Sequence, residues 1–185
     1  MTMHIQLETC EVRSFRRGDA KSLAVHANNR RVWLNLRDTF PHPYTLGDAR
    51  EFIAYALRED PETHFALAVE KKAVGAIGFK LLGDVERVSA EVGFWLGEDF
   101  WGRGIAVDAL KAMTRHAFAA YGVTRVFAAS FEWNAQSQRV LEKAGYVLEG
   151  RMRRSAIKDG KVIDQLLYAH LAPAPNESRN GGSHG

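Results

Sequence analysis

Two glycines flank an arginine in DFWGRGIAVDAL (residues 99–110), directly ahead of an apolar helical pattern. A helix N-terminus exposes unpaired N–H groups and the positive end of the helix dipole. Glycine at that point lets an anion reach the backbone, and an arginine adds a guanidinium suited to phosphate. Gly102, Arg103 and Gly104 therefore read as an anion receptor, against the plainer reading of a tight strand-to-helix turn. The P-loop pattern is not met, because the segment has no lysine–hydroxyl pair. The dinucleotide fingerprint G-x-G-x-x-G needs glycine at 107, where Val107 stands. A second reactive group precedes the loop. In SAEVGFWLG (89–97), strand alternation puts Glu91, Gly93 and Trp95 on one side and Val92 and Phe94 on the other. A carboxylate on so apolar a strand is either a proton acceptor or the partner of a basic neighbour such as Arg87 or Lys80.

The elements around these groups follow from pattern. Val12 to Phe15 suits a first strand, and Asp19 can cap a helix carrying Leu23, Ala24 and Ala27. A short helix carries Val32, Trp33 and Leu36. FPHPYT (40–45) holds two prolines, which exclude a helix interior. Thr45 with Asp48 then starts a helix whose stripe is Phe52, Ile53, Ala56 and Leu57. HFALAVE and AVGAIGFK form a hairpin around Lys71 and Lys72. The helix after the glycines carries Ala106, Ala109, Leu110, Met113 and Ala117 on one face and stops at Gly122. TRVFAASF is a strand, NAQSQRVLEKAG a helix ended by Gly145, and residues 149–171 form two strands around Asp159–Gly160. Strands alternating with helices argue for α/β layers around a mixed sheet.

The totals narrow the options. The chain has 185 residues, 46% hydrophobic and 25% charged, which suits one soluble domain over 1–171. APAPNESRNGGSHG (172–185) reads as a disordered tail. No apolar run can span a bilayer and the N-terminus lacks a signal-peptide pattern, so no membrane partner and a cytoplasmic location are expected. One cysteine, Cys10, allows no internal disulfide and suggests no zinc cluster; it reads as a buried thiol. The seven histidines show no ligand spacing. A net charge of +3 is too small to indicate nucleic acid but suits a small polyanion.

WGRGIA (101–106) resembles the pyrophosphate loop of the GNAT superfamily of N-acetyltransferases, [QR]-x-x-G-x-[GA]. Gly104 and Ala106 match its last two fixed positions. Trp101 replaces the first, as in the RimJ/RimL-like branch, which includes acetyltransferases of ribosomal-protein N-terminal amines. AEVGFWLGEDFWGRGIA (90–106), NAQSQRVLEKAGYVLEGRMR (134–153) and FPHPYT resemble further segments of that branch, so the likeness covers most of residues 10–171.

The resemblance implies a mixed, mostly antiparallel sheet with a splayed central strand and helices on both faces. It implies acetyl-CoA as co-substrate and no metal. The pantetheine arm would run along the backbone of Phe94, Trp95 and Leu96. The pyrophosphate would sit on Trp101, Gly102, Arg103, Gly104, Ile105 and Ala106. Asn134 would face the pantetheine amides, and Arg139 and Lys143 either the phosphates or solvent. Acyl transfer to an amine requires loss of the ammonium proton, a donor for the developing oxyanion and a partner for the departing thiolate. Glu91 is the candidate base, and a backbone N–H of Phe94 or Trp95 the donor. Ser137 is the thiolate partner, since Leu141 stands where many members have tyrosine.

Trp33, His42 and Tyr44, with Glu91, would wall the acceptor pocket, or the aromatics pack the prolines. Ala156 stands where some members have a glutamate, which argues against copying their substrate. Asp164 matches a recurring aspartate and reads as structural before substrate-facing. The implied activity is transfer of an acetyl group to a primary amine, of a protein N-terminus or a small molecule, by direct attack in a ternary complex. Alternatives are another donor such as succinyl-CoA, or a non-catalytic CoA-binding or RNA-associated module using RMRR (151–154). Monomer and homodimer both stay open.

Overall fold

Among the described residues eight strands form one sheet in the order β1-β2-β3-β4-β5-β6-β8-β7. They are β1 (His4–Gln6), β2 (Glu11–Ser14), β3 (His64–Val69), β4 (Lys72–Leu81), β5 (Ser89–Leu96), β6 (Arg125–Phe131), β7 (Val147–Lys158) and β8 (Lys161–Leu171). The helices are α1 (Ala20–Ala27), α2 (Arg30–Trp33), α3 (Leu46–Ala56), α4 (Ile105–Tyr121) and α5 (Ala135–Lys143). This computed structural model describes residues 2–173; the tail expected over 172–185 lies outside them from residue 174 on.

Alternation in the strands covers both faces with helices, because each face needs an apolar cover. On one face α4 packs Leu110 and Met113 against Val12, Phe65, Ile77 and Val92. On the other, α1 and α3 bring Leu23 and Ile53 onto Phe15, Ala66 and Ala76. β5 divides as its alternation predicts: Ala90, Val92 and Leu96 join the α4 core, and Trp95 packs on the α1–α3 side. Every neighbouring pair is antiparallel except β5–β6. That parallel pair lasts for three positions, Ser89↔Arg125 to Glu91↔Phe127, and then the strands part. The splayed sheet is therefore present.

The turns follow their chemistry. Thr45 and Asp48 form a reciprocal capping box at α3. Asp159 and Gly160 both have positive φ, the geometry of a tight hairpin turn. Three readings are corrected. Asp19 precedes α1 without capping it, because both carboxylate oxygens accept from buried Arg13, each at 2.8 Å. Leu57 is exposed, since α3 ends at Ala56. The first strand is β1, a three-residue edge piece too short to carry a periodic signal.

Candidate functional site

The parting of β5 and β6 leaves backbone groups with no strand to pair with. Gly97 N–H donates to Val74 and Leu82 N–H to Ser89, so the odd-numbered residues of β5 pair with β4. Phe94 and Leu96 turn their backbone toward β6. On β6, Ala172 N–H donates to Thr124 and Glu132 N–H to Asp164, so even-numbered residues pair with β8 and Ala129 faces β5. Pairing stops at Glu91↔Phe127. The N–H and C=O of Phe94 and Ala129 thus face an open gap without ladder partners. The Leu96 carbonyl is taken by Trp101 Nε1 at 2.7 Å. The backbone of Trp95 belongs to the β4 ladder, which corrects its expected place along the gap and as a carbonyl-polarising donor. Its indole instead meets Phe40 edge-on, with ring centroids 5.4 Å apart.

At the end of β5 the chain turns into α4. Gly102 and Gly104 have φ of +75° and +82°, values that a side chain disfavours. Gly104 is the N-cap of α4 and offers no side-chain cap. The N–H groups of the first helical turn therefore stay available for an anion. Arg103 stacks on Phe100 at 5.2 Å, and Arg31 on Trp101 at 5.4 Å. Asn134 caps α5, accepting from Ser137 N–H at 3.1 Å. The Ser137 hydroxyl makes no hydrogen bond among the described residues, so the backbone does not claim it.

One cavity of about 1020 Å³ joins the gap, the helix mouth and the far side of the sheet. Every residue assigned above to the cofactor lines it, as do Arg139, Tyr44 and Glu91. Trp33 and His42 do not, which corrects their place in the acceptor wall. They stack on each other at 5.6 Å, and Lys158 Nζ lies 3.7 Å from the Trp33 ring. Buried Lys158 also bonds Asp38 at 2.7 Å. These residues brace the segment 34–44 on the tip of the β7–β8 hairpin. Trp133 Nε1 donates to Asn35 at 3.1 Å, tying the same segment to the opposite rim.

Glu91 forms an ion pair with Arg37, and with neither Arg87 nor Lys80. Its side chain is 17% exposed, against 62% for Arg37, so a carboxylate facing the cavity is covered by a largely exposed cation. Tyr44 is buried, and burial, then nearby Asp48, pushes its hydroxyl up to about 12. It is a wall rather than an acid.

Asp164 accepts from Arg154 N–H and Arg151 Nε, which hold its carboxyl below the usual range. It fastens the irregular stretch of β7 between Met152 and Ala156, a structural role. Cys10 is buried and its thiol is pushed up to about 11, chiefly by desolvation. Two groups on the acceptor side escape sequence reading: Arg37, whose partner is 54 residues away, and His64, which also lines the cavity.

A sheet opened between two parallel strands, with a glycine-built helix mouth at one end, is a shape that suits an extended ligand ending in an anion. Residues 10–147 match the model described as acetyltransferase (GNAT) domain, and the chain belongs to this family. It is 31% identical to the uncharacterized N-acetyltransferase YoaA of Bacillus subtilis over 56% of this chain and 58% of that protein. It is 32% identical to the ribosomal-protein-serine acetyltransferase of Escherichia coli over 58% of this chain and 59% of that one. The chain thus spans under two thirds of either relative's length. A solved structure of Mycobacterium smegmatis RimJ with CoA-disulfide superposes with a TM-score of 0.80 at 22% identity, covering 92% of this chain and 87% of that one. Among the described residues no group of His, Cys, Asp and Glu is placed to hold a metal, and no helix is long and apolar enough to cross a membrane.

Proposed function

We propose that the protein is an acetyl-CoA-dependent N-acetyltransferase of the RimJ/RimL-like branch, acylating a primary amine by direct attack in a ternary complex. The observation that carries this reading is the unpaired backbone edge of Phe94 and Ala129. It opens at one end on the α4 mouth and at the other on Glu91, within one cavity. The residues fit the coenzyme. Amide groups of a pantetheine arm can pair with the gap, and phosphates can take the α4 N–H groups with Arg103, and Lys143 farther along. Bound there, acetyl-CoA supplies an activated acyl carbon.

The chain's own groups supply the rest. Phe94 N–H is the donor facing the place where negative charge develops on oxygen. Ser137 offers a free hydroxyl to the leaving sulfur. Asp48, Glu51 and Glu91 outnumber Arg37 and Lys80 at the acceptor end, which favours a cationic amine. Glu91 exchanges Arg37 for the ammonium and takes its proton. Relatives and neighbours named for ribosomal-protein acetylation support a protein N-terminus as one acceptor class, and a cytoplasmic location is part of the same proposal.

Two measurements test it. Acetyl-CoA should protect the fold thermally, by about 2.7 kcal/mol at a hundredfold excess over Kd. Free CoA should be released over a panel of N-terminal peptides, diamines and amino acids. No protection by acetyl-CoA, succinyl-CoA or CoA refutes the reading; protection without release with any amine leaves the non-catalytic module.

A further inference from the structure

His64, at the start of β3, has surroundings that packing alone does not require. Its Nδ1 lies 2.5 Å from a Glu59 carboxylate oxygen, which also accepts from Thr63 Oγ1 at 2.7 Å. The Tyr55 hydroxyl donates to the other oxygen. Burial works against the Glu59 charge, but the hydrogen bonds from Tyr55, His64 and Thr63 outweigh it and hold the carboxyl below its usual range. A carboxylate at Nδ1 keeps a proton there and leaves Nε2 as an acceptor. Phe52 and Tyr55 hold the ring edge-on, at 5.8 and 5.6 Å.

The free edge of that ring points along the sheet. A Cβ placed on Gly78 would lie 2.5 Å from His64 Cδ2 and 3.0 Å from Nε2, so the imidazole lies over bare backbone. The register aligns His64, Gly78 and Gly93 in one row across three strands. A Cβ on Gly93 would meet nothing within 4 Å. A trough without side chains therefore runs from His64 over β4 to β5. It ends beside Glu91, two residues along β5 on the same face, and all four residues line one cavity.

We propose that His64, positioned by Glu59, is the proton outlet of the acceptor site, a role that rests on the amine-acylation reading. The ammonium N–H bond breaks and its proton goes to the Glu91 carboxylate, leaving the electron pair on nitrogen. Water on the trough carries that proton to Nε2, where a new N–H bond forms, and the imidazolium releases it to solvent. As the nitrogen–carbon bond forms and the carbon–sulfur bond breaks, sulfur keeps the electron pair and takes the second proton from nitrogen. One proton per turnover is left for the outlet. The other ionisable groups facing this end are Tyr44 of the segment 34–44, Asp48, Glu51, Tyr55 and Glu59 from α3 and the segment after it, Lys80 of β4, and Glu91 with Arg37.

The test is kcat against pH for the full chain and for His64→Ala, His64→Gln and Glu59→Gln, with and without added imidazole. Wild-type turnover on the amine panel comes first; without it the acylation reading falls, and the outlet with it. Given turnover, His64→Ala should lose about tenfold in kcat at neutral pH with KM for both substrates unchanged, and imidazole should restore it. His64→Gln should lose as much kcat and change the shape of the profile in the same way, and Glu59→Gln should lose less. Unchanged kcat in His64→Ala, or a loss that imidazole does not relieve and that keeps the wild-type pH profile, would overturn the outlet while leaving acylation standing.

Discussion

The two halves of the cavity are built by different means. The coenzyme half is built mainly from one run, from β5 through the glycine loop into α4, with Ala129 of β6 and the start of α5 facing it, and it presents mostly backbone. The acceptor half takes side chains from the segment 34–44, α3, β3, β4 and β5, and its charges meet only after folding. Backbone sites tolerate side-chain change but not change in backbone conformation. Side-chain sites behave in the opposite way. If that division holds, single substitutions should affect donor and acceptor separately.

The largest separation is expected at Glu91. Glu91→Gln should lower kcat about a hundredfold or more, the scale of a lost general base, while Kd for acetyl-CoA stays within about twofold. Calorimetric binding beside a CoA-release assay measures both. A parallel loss of binding would show that the two halves are one coupled site. The converse change is Gly104→Val. A side chain at φ +82° costs about 1–2 kcal/mol and crowds the α4 mouth. A loop that relaxes out of that conformation must be forced back into it to bind, and each 1.4 kcal/mol is tenfold in affinity, so Kd for acetyl-CoA should rise about tenfold while KM for the amine is unchanged. An equal rise in both would blur the division.

The same division explains what could be read from the chain before folding. Gly102 and Gly104 announce a helix mouth because the signal is local: a positive φ, a helix start and an arginine within six residues. Asn134 and Ser137 are legible for the same reason, as a cap and a first-turn hydroxyl. Glu91 stands out because alternation on an apolar strand exposes a misfit. The expected use of Trp95 fails on a subtler point, because its indole and its backbone serve opposite neighbours and only pairing decides which faces the gap. Trp33 and His42 look like pocket walls beside two prolines, but Lys158, over a hundred residues away, claims their stack. Arg37 sits in the plain stretch LRDTF with no local mark. His64 reads as an ordinary strand opening, since its meaning depends on Glu59 and on glycines from two other strands.

A smaller effect tests whether the coenzyme half depends on any side chain for its shape. Asn134→Ala removes the α5 cap, worth about 1 kcal/mol. For a domain of this size that is about 2–4 °C in Tm. Acetyl-CoA should restore part of the loss if α5 is held by the bound donor, and the scan with and without ligand measures it. No recovery would place α5 outside the donor's reach.

The smallest effect concerns the side-chain half alone. The folded Glu59 carboxyl titrates below its usual range, so its hydrogen bonds from Tyr55, His64 and Thr63 add stability above the unfolded-state value. That contribution is lost as pH falls through the folded value, where the carboxylate takes up a proton. Glu59→Gln removes it at every pH. The Tm gap between wild type and Glu59→Gln should therefore be widest near neutrality and close as the medium becomes acidic. Affinity for acetyl-CoA should not follow that curve, because no part of the Glu59 network touches the β5–β6 gap or the α4 mouth. A gap that stays constant into acid would mean that the network stabilises by packing and not by charge. An acetyl-CoA affinity that tracks it would mean that the backbone-built half leans on the side-chain half after all.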